Sequence, residues 1–161
     1  MKTANLSNEY HMIKRVLGDD VKNITTDTIS NFQSFGASLM KHAIEGSHKY
    51  LTGSDLESQA LIWQWIEDRI KAVSNTDITL LASKLNRHLE CNVYIVSNVF
   101  SLADIVLFYA MHSFMSDLTV HEKQSKYTNV SRWFSHIQHH ELLASVSLSK
   151  VCYILNSIYL N

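Results

Sequence analysis

The chain has 161 residues, 46% of them hydrophobic, with no proline, four glycines and two cysteines, and it carries a net charge of −1. Near neutrality in charge, it has no global field to steer it onto nucleic acid or an anionic membrane. Cys91 and Cys152 are too few and too far apart for a disulfide framework or a cysteine metal site, and they read as small buried hydrophobes. No apolar run reaches the length of a bilayer-spanning helix, and residues 1–18 lack the apolar core of a secretory signal, so the chain reads as soluble and intracellular.

Taken in chain order, Glu9–Leu17 is predicted as a helix with Tyr10, Ile13 and Leu17 inward, and residues 21–25 and 27–30 as two short strands. Asn31–Ala43 carries Phe32, Phe35, Leu39 and Ala43 at helical spacing, and Gly46 is placed to end that helix in the left-handed conformation. Ser54, with Glu57 three residues on, is predicted to cap a helix over 56–73 whose inward stripe is Ile62, Trp65, Ile66, Ile70 and Val73. Residues 75–78 form a predicted break, and Asp77 is predicted to cap a helix with Ile78, Leu81, Leu85 and Leu89 inward. Val93–Val96 reads as an apolar connector.

Ser101-Leu102-Ala103-Asp104 is the most specific local signal in the chain. The Ser101 hydroxyl can cap a helix while the Asp104 carboxylate reaches back to the Ser101 backbone, and Phe100 can staple onto Ile105. Helix 102–116 is apolar on nearly every side, which places it at the centre of a bundle. Lys123–Thr128 reads as a charged, mobile loop. A short helix follows from Asn129 or Ser131 through Gln138 with Trp133 and Ile137 inward, and a last helix is predicted over 142–158.

The order ALIWQWIEDRI, LLASKLNRHLE, VYIV and FSLADIVLFY resembles the helical C-terminal domain of glutathione transferases. QWIEDRI, DLTV and NVSRWFSHIQH narrow the resemblance to a non-catalytic, glutathione-transferase-like scaffold family of the multi-aminoacyl-tRNA synthetase complex. The resemblance implies a mainly α fold: a reduced thioredoxin-like α/β lobe over 1–50, then a glutathione-transferase C-terminal-like helical bundle over 51–161. It also implies a translation adaptor of the cytoplasm, and of the nucleus as a second location. The implied partners are the glutathione-transferase-like domains of methionyl-tRNA synthetase and glutamyl-prolyl-tRNA synthetase, with no cofactor, membrane or direct nucleic-acid contact. Of its two binding surfaces, one is built on helices 31–44 and 56–73. The other is centred on Arg132, which stands at the arginine of the NVSRW motif.

The residues fit that reading on chemical grounds. Two positions on a helix lie about 200° apart, so Trp63 and Trp65 cannot share one core face. Trp65 belongs to the apolar stripe. Trp63, with Gln59 and Glu67, is either an exposed interface anchor or a residue packed under the N-terminal lobe or helix 31–44. Arg132 falls beside Ser131, Ser135 and His136, off the Trp133–Ile137 stripe. Its guanidinium suits bidentate or stacked recognition across an interface, and its alternative is a local salt bridge to Glu122 or Asp117.

Catalysis has less support. Glutathione binding of the transferase type needs a cis-proline, which this chain does not encode, and Tyr10 lies in a predicted helix. His136, His139 and His140 have a spacing that can hold zinc, but they read as surface histidines. Ser101 and Asp104 read as structural. The alternative functions are a glutathione-binding transferase-like enzyme and a self-associating structural module of elongation factor 1.

Overall fold

The computed structural model describes residues 2–18, 32–72, 75–96, 98–143 and 148–151. Among them are seven α-helices and no strand: α1 (Lys2–Val16), α2 (Phe32–Glu45), α3 (Leu56–Lys71), α4 (Asn75–His88), α5 (Leu102–Asp117), α6 (Val120–Ser125) and α7 (Thr128–Ile137). Short 3-10 turns lie at Lys49–Thr52 and Glu141–Leu143. The two strands expected between residues 21 and 30 lie outside the described residues.

The centre of the bundle is α5. Every residue from Leu102 to Met111 is buried, and the helix packs against α1, α3, α4 and α7. The other helices are amphipathic and present one stripe to it. Tyr10, Ile13 and Leu17 come from the α1 segment, Phe35, Leu39 and Ala43 from α2, and Ile62, Trp65 and Ile66 from α3. Leu81, Leu85 and Leu89 come from the α4 segment. Removing this much apolar surface from water, at roughly 25 cal/mol per Å2, is the main term holding the helices together.

A buried ion pair ties the first helix to the third. The Arg69 guanidinium donates to both carboxylate oxygens of Glu9 and to the Ala72 carbonyl, so it also closes the C-terminal end of α3. Burial lifts the Glu9 carboxyl above its ordinary range, and the Arg69 charge draws it part of the way back.

Several local expectations change. The cap of α3 is Asp55, not Ser54. The Asp55 carboxylate accepts the Ser58 N–H at 2.8 Å, and its pKa falls because that amide and the Ser58 and Ser54 hydroxyls favour the charged form. Gly46 does not take the left-handed conformation. A positive φ occurs instead at Gly53, which follows the Lys49–Thr52 turn at φ +91° and ψ 144°, and a Cβ there would stand 2.9 Å from the Ser58 Cβ. Helix α4 includes Asn75 and Thr76, so the break before it is shorter than expected.

The largest correction is α6. Lys123–Thr128 is not a loop throughout: Thr119 and Glu122 form a capping box that starts a helix running to Ser125, and Lys123 is buried. The Thr119 hydroxyl and amide hold the Glu122 carboxyl below its ordinary range. Helix α7 begins at Thr128. The helix expected over 142–158 is absent where the chain is described, since Leu143 ends a 3-10 turn and residues 148–151 are not helical. The rest of that span lies outside the described residues.

Candidate functional site: the α4–α7 face around Arg132

The site rests on Asp104. The capping box at the start of α5 is formed as expected, with Asp104 Oδ2 accepting the Ser101 N–H at 3.0 Å and the Ser101 hydroxyl at 2.9 Å. The other oxygen, Oδ1, accepts the Ile95 N–H at 3.0 Å and the Trp133 indole N–H at 2.8 Å. One carboxylate thus joins the start of α5, the connector before it and α7. It is completely buried, and burial raises its pKa while the four donors oppose the rise.

This hub sets the rotation of α7. With Trp133, Val130, Phe134 and Ile137 buried, Arg132 is turned outward toward the end of α4. Its Nη2 donates to the carbonyls of Leu89 and Asn92, the second at 3.2 Å. Asn92 in turn donates to the His88 carbonyl at 2.8 Å. The carbonyls left over at the end of α4 therefore find donors, as orphan groups of a helix terminus require. The partner of Arg132 is neither Glu122 nor Asp117 but main-chain oxygen. Its side chain stays exposed, and among the described residues no acceptor engages Nε or Nη1.

Asn86 holds the other end of α7. Its side-chain oxygen accepts the N–H groups of Asn129 and Val130 at 3.0 and 3.1 Å, and Asn129 returns a bond to the Asn86 carbonyl. This is an N-cap supplied by a different helix, and no spacing in the sequence pointed to it.

The neighbours expected around Arg132 separate. Ser131 is buried and donates to the Lys123 carbonyl at 3.0 Å, so it fastens α7 to α6 instead of facing outward. Ser135 and Arg132 line a crevice of about 300 Å3 with Gln124 and Thr128. His136 is exposed, and its Nε2 lies 2.9 Å from the Tyr94 hydroxyl. The three histidines do not converge. His139 Nδ1 engages the Ser135 carbonyl, while His140 stacks on Phe100 at 3.8 Å between ring centres and is held below its ordinary pKa chiefly by burial. Among the described residues no group of three His, Cys, Asp or Glu could hold a metal ion.

On the second surface, Trp63 is half-buried over α2. A Cβ at Gly36 would stand 2.9 Å from the Trp63 ring and 3.0 Å from Ile66, so the missing side chain at 36 is what lets the helices approach. The packed alternative describes the inner part of that ring. Gln59 is half-buried and its amide lies 3.4 Å from the Gly53 carbonyl, while exposed Glu67 pairs with Lys71 at 3.2 Å. Leu56, 84% exposed, and Ile44 and Tyr50 leave apolar surface on the α2–α3 side.

A small helical bundle whose polar clusters hold helix ends and packing angles has the build of an interaction module. The family model described as nuclear-export cofactor Arc1p matches residues 58–141, from the first turn of α3 through α7. Eukaryotic translation elongation factor 1 epsilon-1 of Homo sapiens is 43% identical over 138 residues, 83% of this chain and 76% of that protein. Its counterpart from Cricetulus griseus is 44% identical over 130 residues, 78% and 74% of the two chains. The tRNA-aminoacylation cofactor arc1 of Schizosaccharomyces pombe is 31% identical over 106 residues, which are 65% of this chain and 22% of the cofactor. The chain belongs to the eukaryotic translation elongation factor 1 epsilon-1 family.

Proposed function

We propose that this protein is a non-catalytic adaptor of translation that joins aminoacyl-tRNA synthetases. In this reading residues 1–50 are a reduced lobe and residues 51–161 the adaptor domain. It pairs with the glutathione-transferase-like domains of methionyl-tRNA synthetase and glutamyl-prolyl-tRNA synthetase, the first through the α2–α3 side and the second through α7. The observation that carries the reading is Arg132. Its guanidinium is positioned by two main-chain carbonyls, and its remaining edge is open to solvent on a helix fixed by Trp133 and Asn86. A pre-positioned, half-satisfied guanidinium is a low-entropy anchor for a partner acceptor or a stacked partner side chain. The relatives' names, a translation factor and a tRNA-aminoacylation cofactor, support the same direction.

The test is co-purification with the two synthetase domains followed by light scattering. Formation of a binary or ternary complex is the expected result. Arg132→Ala should weaken the glutamyl-prolyl partner by about 2 kcal/mol, the size of an interface hot spot. A homodimer that ignores both partners, or retention on immobilised glutathione, would move the assignment to the self-associating or glutathione-binding reading.

A further inference from the structure

Between Leu89 and Ile95, both buried, the chain leaves α4 and turns back toward α5. Among the described residues no main-chain to main-chain hydrogen bond involves positions 91–94, so side chains decide the shape of this turn. Asn92 donates to the His88 carbonyl at 2.8 Å and folds the turn onto the last residue of α4. The His88 ring lies edge-on to Trp65, 5.0 Å between ring centres, and places Nε2 2.7 Å from the Ile95 carbonyl. A carbonyl only accepts, so Nε2 carries the proton and His88 closes the neck of the turn. Asp104 already holds the Ile95 N–H from the other side.

Turned this way, the segment brings the Leu89 and Asn92 carbonyls together on Arg132 Nη2. The guanidinium meets the carbonyl end of α4, where the helix dipole favours a cation. Tyr94, in the same turn, reaches α7 one helical turn beyond Arg132, its hydroxyl 2.9 Å from His136 Nε2. The turn and α7 are therefore fastened to each other at both residues. An arginine side chain that is free in water has to be ordered when a partner takes it up, and that cost is subtracted from affinity. A guanidinium already ordered escapes it.

We propose, on the reading of Arg132 as the α7 anchor, that His88 and Asn92 are its positioning residues: they shape residues 89–95 into a cradle whose two carbonyls order the guanidinium before a partner arrives. Neither residue needs to touch the partner, yet both set its affinity.

The first readout needs no partner. In the full-length chain with isotope-labelled arginine, a held guanidinium rotates slowly about its Nε–Cζ bond and gives separate signals for its two Nη groups. Arg132→Ala identifies these signals by their loss, and in Asn92→Ala they should merge. The second readout is titration with the glutathione-transferase-like domain of glutamyl-prolyl-tRNA synthetase. Asn92→Ala and His88→Ala should each weaken binding roughly two- to tenfold, at equal helical content. His88→Gln, which keeps a donor near the Nε2 position, should restore it. In an Arg132→Ala background Asn92→Ala should change nothing further. Merged Nη signals in the unaltered chain, or full affinity in Asn92→Ala where Arg132→Ala weakens binding, would overturn the positioning role. An Arg132→Ala chain that binds as tightly as the unaltered one would overturn the adaptor reading of this face, and the guanidinium signals would still decide whether His88 and Asn92 hold the side chain.

Discussion

Among the described residues two acids are buried, and they are kept there by different means. Glu9 faces a full opposite charge, the Arg69 guanidinium, which grips both of its oxygens. Asp104 faces no cation among its bonded partners. It is held by two amide N–H groups, an indole N–H and a hydroxyl. Burial raises both pKa values. The difference lies in what each acid joins. The ion pair links two helices at one point, and its worth depends on both charges remaining. The Asp104 hub links three chain segments through dipoles, and its worth depends on the carboxylate alone.

Removing Asp104 is therefore expected to be the largest single loss. Asp104→Ala leaves three buried N–H groups without an acceptor, each costing about 1–3 kcal/mol, so a loss of about 5 kcal/mol in urea denaturation is expected. Against a typical stability of about 5–15 kcal/mol this would leave the chain partly unfolded. Arg69→Met should cost about 3 kcal/mol because it strands the Glu9 charge, whereas Glu9→Leu/Arg69→Met should return to within about 1 kcal/mol of the original. A double substitution no better than the single one would mean that the pair contributes net stability. Asn86→Ala should cost about 1–2 kcal/mol, the scale of a lost N-cap. Circular dichroism melting with retained overall helicity would separate this local effect from global damage.

The two acids also set a pH dependence. Each has a folded pKa above its unfolded value, so its proton is bound more tightly in the folded state. The stability this linkage contributes is fully present below the ordinary carboxylate range and is lost as pH rises through the raised folded value. Glu9→Gln should flatten its share of that decline in the urea midpoint measured from acid to neutral pH, while Asp104 retains its own. An unchanged slope would show that Glu9 titrates as an ordinary carboxylate.

What was legible in the sequence follows the distance over which each interaction acts. The α5 capping box spans three residues and could be read directly, as could the inward stripe of α7. The Thr119–Glu122 box has the same spacing, but the charged run Lys123–Thr128 that overlaps the end of α6 reads as a loop. The partners of Arg132 were out of reach. Its acceptors are main-chain oxygens around position 90, 43 and 40 residues away, and a carbonyl carries no sequence signature. Asn86 is the same case from the other side, since an asparagine that caps a distant helix looks like any surface amide. At Trp63 the helical spacing separates the faces of α3 but does not say which neighbour covers them. Gly36, the residue that makes room for the ring, is the local clue that could have decided it.

The Asp104 hub has a consequence for any genetic dissection of the chain. Ser101 and Trp133 both donate to the Asp104 carboxylate, one to each oxygen, so a substitution at any of the three changes what the others meet, and their effects will not add. In a scan scored by partner binding they should emerge as one block of sensitive positions beside Arg132, although none of them needs to touch a partner. The orientation of the α7 face is inherited from a carboxylate almost thirty residues earlier in the chain, and variants there will pass for binding mutants until folding is measured separately.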